Sequence, residues 1–282
     1  MNLKQKLRPY KKRPGSFLML VLVVGSAVIT FAVLSFLVIY ILVKGISNIT
    51  PELFSFTYSS ENVSLMPALI NTVSMTFLSL LIAIPLGIGA AIFLAEYARR
   101  GNRLVSLIAL TTETLSGIPS IIYGLFGMIF FVTTCGWGYS LLAGACTLAI
   151  MILPLIIRTT EEALKSVPDT YREGSFGLGA GKLRTIFRIV LPSAVPGILA
   201  GVILAVGRIV GETAALIYTA GTVAQIPDSV MKSGRTLAVH MYNLANEGLY
   251  MGEAYATAVI LLLLVLGINT LSGAVAKRVM KG

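Results

Sequence analysis

The sequence predicts an all-α membrane protein with six transmembrane helices and both termini in the cytoplasm. Of its 282 residues, 56% are hydrophobic and only 12% are charged, and the mean hydropathy is +0.88. Such a composition indicates that lipid, rather than water, is the main solvent of the chain. The formal net charge of +10 does not indicate nucleic-acid binding, because the basic residues form short clusters between apolar runs.

Six segments are apolar enough to cross a bilayer, which requires roughly 20 residues with their backbone hydrogen bonds closed inside the segment. They comprise residues 17–43, 66–97, 118–134, 141–157, 194–219 and 254–276. The first has the basic front of a signal peptide but is too long for one, so we expect a retained helix. Residues 104–117 are expected to form a shallow helix that leads into the third span.

The orientation follows from the basic residues, which concentrate on the cytoplasmic side of membrane proteins. All but four of the 22 lysines and arginines fall on one side of the predicted spans. The exceptions are Lys44, Lys232 and Arg235 on the other side, and Arg208 within a helix. We therefore expect residues 1–16 to form a basic cytoplasmic tail, and residues 17–282 to form a single transmembrane domain.

Cysteine and histidine give no sign of a metal or catalytic site. Cys135 and Cys146 lack metal-ligand spacing, so we interpret both as packing residues. His240, the only histidine, is placed by the predicted spans in an outer loop and is interpreted as a surface residue. Glycines such as Gly197 and Gly201 are expected to mark faces where helices approach closely. We expect no metal and no cofactor in this chain.

The predicted cytoplasmic loop 158–192 has the signals of folded structure. Ser166 and Asp169 have the spacing of a capping box at a helix start. Gly179 suits a helix end. A second basic stretch, 182–188, then leads to the fifth span. A compact helix-turn-helix that projects from the membrane is expected here.

The same loop carries a family resemblance. The set Glu173, Gly174, Ser175, Gly179, Ile189, Leu191 and Pro192 resembles the EAA loop of ATP-binding-cassette (ABC) importer permeases, in which a Glu-Ala-Ala triplet and a glycine precede Ile-x-Leu-Pro. Gly174 and Ser175 replace the two alanines, and both are small, although Gly weakens a helix by about 1 kcal/mol relative to Ala. The resemblance implies that the loop contacts an ATPase subunit and couples ATP hydrolysis to the membrane helices.

The chain has no phosphate-binding loop of its own, and we do not expect it to be an enzyme. The nearest match, residues 177–183, lacks both the first glycine of the motif and the Ser or Thr after Lys182. ATP hydrolysis is therefore expected in partner subunits.

Two charges lie within the fifth predicted span. Arg208 and Glu212 are four residues apart, so on a continuous helix they share a face and can pair. An Arg at mid-membrane costs about 2.5–3.5 kcal/mol on insertion scales, which makes it a functional candidate. Arg208 is expected either to attract an anion in the translocation path or to bridge helices. Glu113, near the third span, is either a second gate charge or an interfacial residue.

Residues 205–215 and 116–126 are similar to the corresponding stretches of the PstA phosphate permeases, and the resemblance extends over nearly the whole chain. It implies a type I ABC importer permease in the bacterial cytoplasmic membrane, with phosphate as cargo. The implied partners are a second, PstC-like permease, two PstB-like ATP-binding subunits and a soluble PstS-like phosphate-binding protein. In that family the arginine matched by Arg208 is associated with transport.

The residues leave other readings open. A permease for molybdate, sulfate or an organic solute would share the coupling loop. A proton-coupled secondary transporter would use Arg208 and Glu212 but would not need the loop. An intramembrane hydrolase lacks a nucleophile and base at membrane depth. We further hypothesise that Glu212 favours protonated oxyanions, because a carboxylate accepts a hydrogen bond from the proton of hydrogenphosphate but repels sulfate.

Overall fold

The computed structural model describes residues 14–98 and 103–279, and within these ranges it contains helices and no β-strand. The helices are α1 (Pro14–Ile46), α2 (Met66–Ile92), α3 (Arg103–Ser116), α4 (Ser120–Gly127), α5 (Leu141–Lys165), α6 (Asp169–Gly177), α7 (Lys182–Thr185), α8 (Leu191–Val210), α9 (Ala214–Thr219), α10 (Leu237–Glu247) and α11 (Met251–Val279). Three π-helical turns continue α2, α4 and α7, at Phe93–Tyr97, Met128–Thr134 and Ile186–Val190. The predicted all-α class is confirmed.

The predicted basic tail lies mostly outside the described residues, as do Arg99, Arg100 and Lys281. Helix α1 begins at Pro14, within the range predicted for the tail.

Five helical segments are long and apolar enough to cross a membrane, and α3 with α4 provides a sixth, broken span. The two halves of this span meet at 103°, so α3 lies across the direction of α4, as expected for a shallow helix. The bend occurs at Gly117–Pro119, where the proline has no N–H to continue the helical ladder. The prediction of six spans is confirmed.

Two predicted boundaries are wrong. The fourth helix was expected to end at residue 157 but continues to Lys165, because the pairs Arg158–Glu162 and Glu161–Lys165 are spaced to stabilise a helix. The fifth was expected at 194–219, yet the apolar helix spans Lys182–Val210. The Ile186–Val190 π-turn precedes Pro192 and shifts the hydrogen-bond register there, which lets the helix pass through the proline.

Helix α5 is the centre of the molecule. It packs against α2, α8, α4 and α3, and 67% of its most apolar stretch is buried inside the chain. Its residues Leu148, Met151 and Ile152 are almost fully enclosed and form the middle of the main core. Helix α11 packs against α8 and in turn contacts α10 and α1.

Helix α1 is peripheral. None of its most apolar stretch is buried within the chain, and its main contact is with α11. Gly45 makes this contact possible, since a Cβ there would lie 2.5 Å from the Val259 side chain. The remaining faces of α1 are therefore available to lipid or to another subunit.

Glycines set the distance between α5 and α8. A Cβ at Gly197 would lie 2.6 Å from that of Ala163, and a Cβ at Gly201 would lie 2.6 Å from that of Thr159. Separations this short do not occur between real Cβ atoms, so the two helices approach as far as glycine allows. The predicted packing role of these two glycines is confirmed.

We expect Gly201→Ala to destabilise the protein by about 1–3 kcal/mol, because the new methyl group overlaps Thr159 and forces α5 and α8 apart. Gly207→Ala is the matched control on the same helix, since a Cβ there meets no atom within 4 Å. It should be neutral or slightly stabilising. Thermal unfolding of the purified protein in one detergent compares the two. Equal melting temperatures would contradict close packing at Gly201.

Candidate functional site

Arg208 lies in the last turn of α8, where it is half-buried. Its guanidinium is within electrostatic range of the Tyr123 phenol on α4. Among the described residues it has no ion pair. The expected pairing with Glu212 is therefore wrong. Arg208 is therefore a half-buried cation near the end of an apolar helix, without a carboxylate partner in the described part of the chain.

Glu212 fails to pair because the helix stops before it. Helix α8 ends at Val210, the chain is non-helical over Gly211–Thr213, and α9 starts at Ala214. The Glu212 side chain is 8% exposed, and its Oε1 accepts a hydrogen bond of 3.0 Å from the Ala215 N–H. The carboxylate thus supplies an acceptor to the first turn of α9, where helices favour negative charge.

A cavity of about 660 Å³ lies beside this break, between α1, α4, α9, α10 and α11. Ala214, Ile217 and Tyr218 of α9 line it together with Thr213 of the break, and its lining is mainly apolar. Neither Arg208 nor Glu212 lines it. The cavity therefore does not include the unpaired cation.

Glu113 is exposed near the end of α3 and lines a separate pocket of about 220 Å³. Its neighbours in that pocket include Arg158, Glu161, Glu162 and Lys165 at the end of α5. This charged rim lies at the predicted cytoplasmic end of the fold. Its position favours the interfacial alternative for Glu113 over a gate beside Arg208.

The coupling loop folds as α6, a turn and α7. Gly179 has φ +80°, and hydrogen bonds run from its N–H to Phe176 O and from Ala180 N–H to Ser175 O. These two bonds form a Schellman motif, so the predicted helix end at Gly179 is confirmed. The predicted capping box is wrong: Ser166 donates to Ala163 O at the end of α5 and does not cap α6.

The residues of the motif divide between exposed and buried positions. Glu173 and Gly174 are exposed on α6, and a Cβ at Gly174 would meet no atom within 4 Å. Ser175 is buried, with its hydroxyl 2.8 Å from that of Thr185 on α7. Of the remaining positions, Ile189 lies in the π-turn, and Leu191 and Pro192 begin α8.

Sequence reasoning missed the contact that fastens this loop to the bundle. Arg172 of α6 pairs with Glu96 at 2.7 Å, and the two side chains are only 16% and 8% exposed. Arg172 also donates to Leu164 O and Val167 O, and to Asp169 Oδ1. The one indication in the sequence was Glu96, a single acidic residue at the end of the apolar second span. Its partner lies 76 positions away, which no local pattern reveals.

The loop also presents apolar side chains that the sequence motif did not identify. Leu178, between α6 and α7, is 91% exposed, and the same segment of the chain exposes Tyr171, Phe176, Leu183 and Phe187. Large apolar side chains grouped on a surface mark an interaction site. Glu173 and Gly174 are exposed in the same segment.

The predicted place of His240 is wrong. It lies on α10 rather than in a loop, and it is fully buried. Neither ring nitrogen makes a hydrogen bond of normal geometry, although the Val63 backbone lies close enough to interact with the ring. Burial, followed by the charge of Arg235, lowers its pKa to about 3, against the opposing effect of the Val63 backbone. His240 is therefore neutral at physiological pH.

A family model described as a binding-protein-dependent transport system inner membrane component matches residues 83–281. The probable ABC transporter permease protein YqgI of Bacillus subtilis is 38% identical over 239 residues, which are 79% of this chain and 81% of that protein. The phosphate transport system permease protein PstA of Haemophilus influenzae is 36% identical over 226 residues, 78% of each chain.

The fold also resembles a solved structure. One chain of a bacterial alginate ABC transporter, crystallised in complex with an alginate pentasaccharide-bound periplasmic protein, aligns over 97% of this chain and 99% of its own length. The TM-score is 0.71 at 16% sequence identity. At that identity the likeness concerns the fold alone, and it confirms the fold class predicted from the sequence.

Replacing Arg172 with Met should loosen the coupling loop, because it leaves Glu96 buried without a counter-charge and frees two backbone carbonyls. Breaking such a pair costs about 3 kcal/mol or more. Chymotrypsin should then cleave faster after Phe176 and Phe187, since cleavage follows local opening. Arg184→Met is the control, because Arg184 is exposed and forms no ion pair within the described chain. Equal cleavage rates in both variants would show that the Arg172–Glu96 pair does not hold the loop in place.

Proposed function

The chain belongs to the family of binding-protein-dependent transport system inner membrane components, and we propose that it carries phosphate across the bacterial cytoplasmic membrane as a permease subunit of an ATP-driven importer. The unpaired guanidinium of Arg208 is the observation that carries the proposal. The identity of 36% to a phosphate permease of Haemophilus influenzae supports this choice of cargo.

Arg208 suits an oxyanion by charge and shape. Its planar guanidinium presents parallel N–H donors that match two oxygens of a phosphate group. A cation already paired with a carboxylate would offer these donors only at the expense of that pair. Because Glu212 is bound to the backbone of α9, Arg208 can meet the anion without breaking an internal contact.

Glu212 gives the path its preference among oxyanions. Its Oε1 is used by the Ala215 N–H, whereas no described residue donates a side-chain hydrogen bond to Oε2. A carboxylate oxygen accepts a hydrogen bond from the hydroxyl of hydrogenphosphate, and it repels sulfate, which has no hydroxyl to donate at neutral pH. Glu212 therefore selects against sulfate in this proposal, while its other oxygen maintains the start of α9.

ATP hydrolysis reaches the path through the coupling loop. The exposed apolar residues around Leu178 dock on a PstB-like ATP-binding subunit, of which the transporter has two. Movement of α6 is passed to α2 by the Arg172–Glu96 pair and to α8 through the continuous helix that starts at Lys182. A PstC-like permease completes the path, and a PstS-like binding protein delivers phosphate from outside, with residues 220–253 placed to contact it.

Arg208→Ala should abolish uptake of labelled phosphate at low external concentration in cells that lack the native gene. Arg208→Lys should restore only part of it, because the charge is kept but the planar fork is lost. Uptake is compared at equal abundance of each form in the membrane. Normal uptake by Arg208→Ala would show that the cation is dispensable.

Two further outcomes of this experiment test the cargo and the energy source. If the intact chain restores no phosphate uptake although its partner subunits are present, the cargo is another solute. If uptake survives inactivation of the partner ATPase, the chain works as a secondary transporter. Either result would overturn the proposal.

Glu212→Gln should let sulfate compete more strongly for phosphate uptake, because it removes the repelling charge. Gln keeps a side-chain oxygen that can accept the Ala215 N–H, so the start of α9 is preserved. Glu212→Ala removes both functions and should also destabilise the protein by about 1 kcal/mol. Unchanged sulfate competition in the Gln variant would remove Glu212 from the selection of cargo.

A further inference from the structure

The third span breaks where a proline removes a hydrogen-bond donor. In a continuous α-helix the N–H of residue 119 would donate to Leu115 O, but Pro119 has no N–H. Helix α3 ends at Ser116, and α4 leaves the corner at 103°. A backbone carbonyl that loses its donor inside a membrane span costs free energy unless another group of the protein supplies one.

The Tyr123 side chain supplies the missing donor. Its hydroxyl, on the first turn of α4, donates to Leu115 O at 2.8 Å across the corner. The Ile118 N–H also reaches this carbonyl, at 3.2 Å, with the three-residue spacing of a tight turn. Tyr123 is only 5% exposed, so its ring is enclosed by protein. The hydroxyl therefore ties the start of α4 to the end of α3.

The corner lies against the broken fifth span. A Cβ at Gly124 would lie 2.8 Å from Ala215 Cα and 3.2 Å from Ala215 O, so α4 touches the backbone of α9 at this point. The Ala215 N–H is the group that donates to the Glu212 carboxylate. The two broken spans are therefore packed together within a few residues of both breaks.

The Tyr123 ring also joins the core on both sides of the second break. It belongs to the main core cluster together with Ile209, before the break, and Leu216, after it. Its phenol is within electrostatic range of Arg208, the residue that precedes Ile209. Close-packed cores transmit displacements. A movement of α4 would therefore shift the end of α8 and the start of α9 together.

We infer that Tyr123 is a positioning residue of the transport path: its hydroxyl holds the corner between α3 and α4, and this corner holds α4 against the fifth span beside Glu212. The inference rests on the proposed function, in which Arg208 and Glu212 meet the anion. Tyr123 acts through these two side chains and is assigned no contact with the anion. One side chain thus completes each break, a hydroxyl donor at the first and a carboxylate acceptor at the second.

Spin labels on the two halves of the third span test the corner in the full chain in nanodiscs. Leu110 of α3 and Ile129 after α4 are exposed and carry the labels, and serine replaces the two native cysteines. Tyr123→Phe removes the hydroxyl but keeps the ring, so the distribution of distances between the labels should broaden or shift. Thr111→Val is the matched control, because the Thr111 hydroxyl bonds to Leu107 O within α3 and does not cross the corner. It should leave the distances unchanged.

Uptake of labelled phosphate tests the consequence for transport. At equal abundance in the membrane, Tyr123→Phe should lower the maximal rate by about fivefold or more, because Arg208 and Glu212 are no longer held in one geometry. The concentration that gives half-maximal uptake should not change, since in the proposed importer the binding protein captures phosphate first. A merely structural role would lower the abundance of the subunit and leave the rate per subunit unchanged. Thr111→Val should transport like the intact chain.

Two results would overturn the inference: label distances that are the same with and without the Tyr123 hydroxyl, or altered distances with a normal rate of uptake per subunit. Absence of phosphate uptake by the intact chain is a different outcome, because it rejects the proposed function. The label distances then decide alone whether the Tyr123 hydroxyl holds the corner.

Discussion

Inside a bilayer, each backbone N–H and C=O needs a partner within the protein, and this requirement decides where the chain can be irregular. The fifth span breaks at Gly211–Thr213 and continues as α9. The break is tolerated because the Glu212 carboxylate accepts the Ala215 N–H, and because Ala215 and Leu216 are enclosed by protein rather than lipid. Because Glu212 is used in this hydrogen bond, it does not pair with Arg208.

Three arginines show how the partners of a charge decide its use. Arg172 has a carboxylate and two carbonyls and serves as a structural anchor. Arg208 loses its expected partner to the backbone of α9, and Arg235 has none among the described residues. The first cation holds helices together, whereas the other two have no carboxylate partner in the described part of the chain. Residue type alone would not separate these roles, since all three are guanidinium groups in a largely apolar protein.

Hydropathy and the positions of basic residues were sufficient to predict the six spans, because the cost of burying charge in lipid acts on every residue of a span. The end of α6 was predictable because Gly179 has a positive φ, which favours glycine, whereas the capping box expected at its start is absent. Contacts between distant segments were not predictable: the Glu96–Arg172 pair and the burial of His240 depend on the packing of α2 against α6 and α10. The end of the fifth span was predicted wrongly because hydrophobic periodicity does not show where a helix breaks. Here the Glu212 carboxylate accepts the Ala215 N–H in place of a backbone carbonyl, and the helix ends before it.

The turn between the third and fourth spans contains the only tryptophan of the chain. Trp137 stacks on Phe131 at 5.3 Å between ring centroids, and the glycines on both sides of it have positive φ. The same outer layer contains Gly221, where a Cβ would lie 3.3 Å from that of Tyr139. Tryptophan emission from this subunit therefore comes from one known position. It reports the hydration of the outer surface without an added label, and it is insensitive to events that stay within the coupling loop.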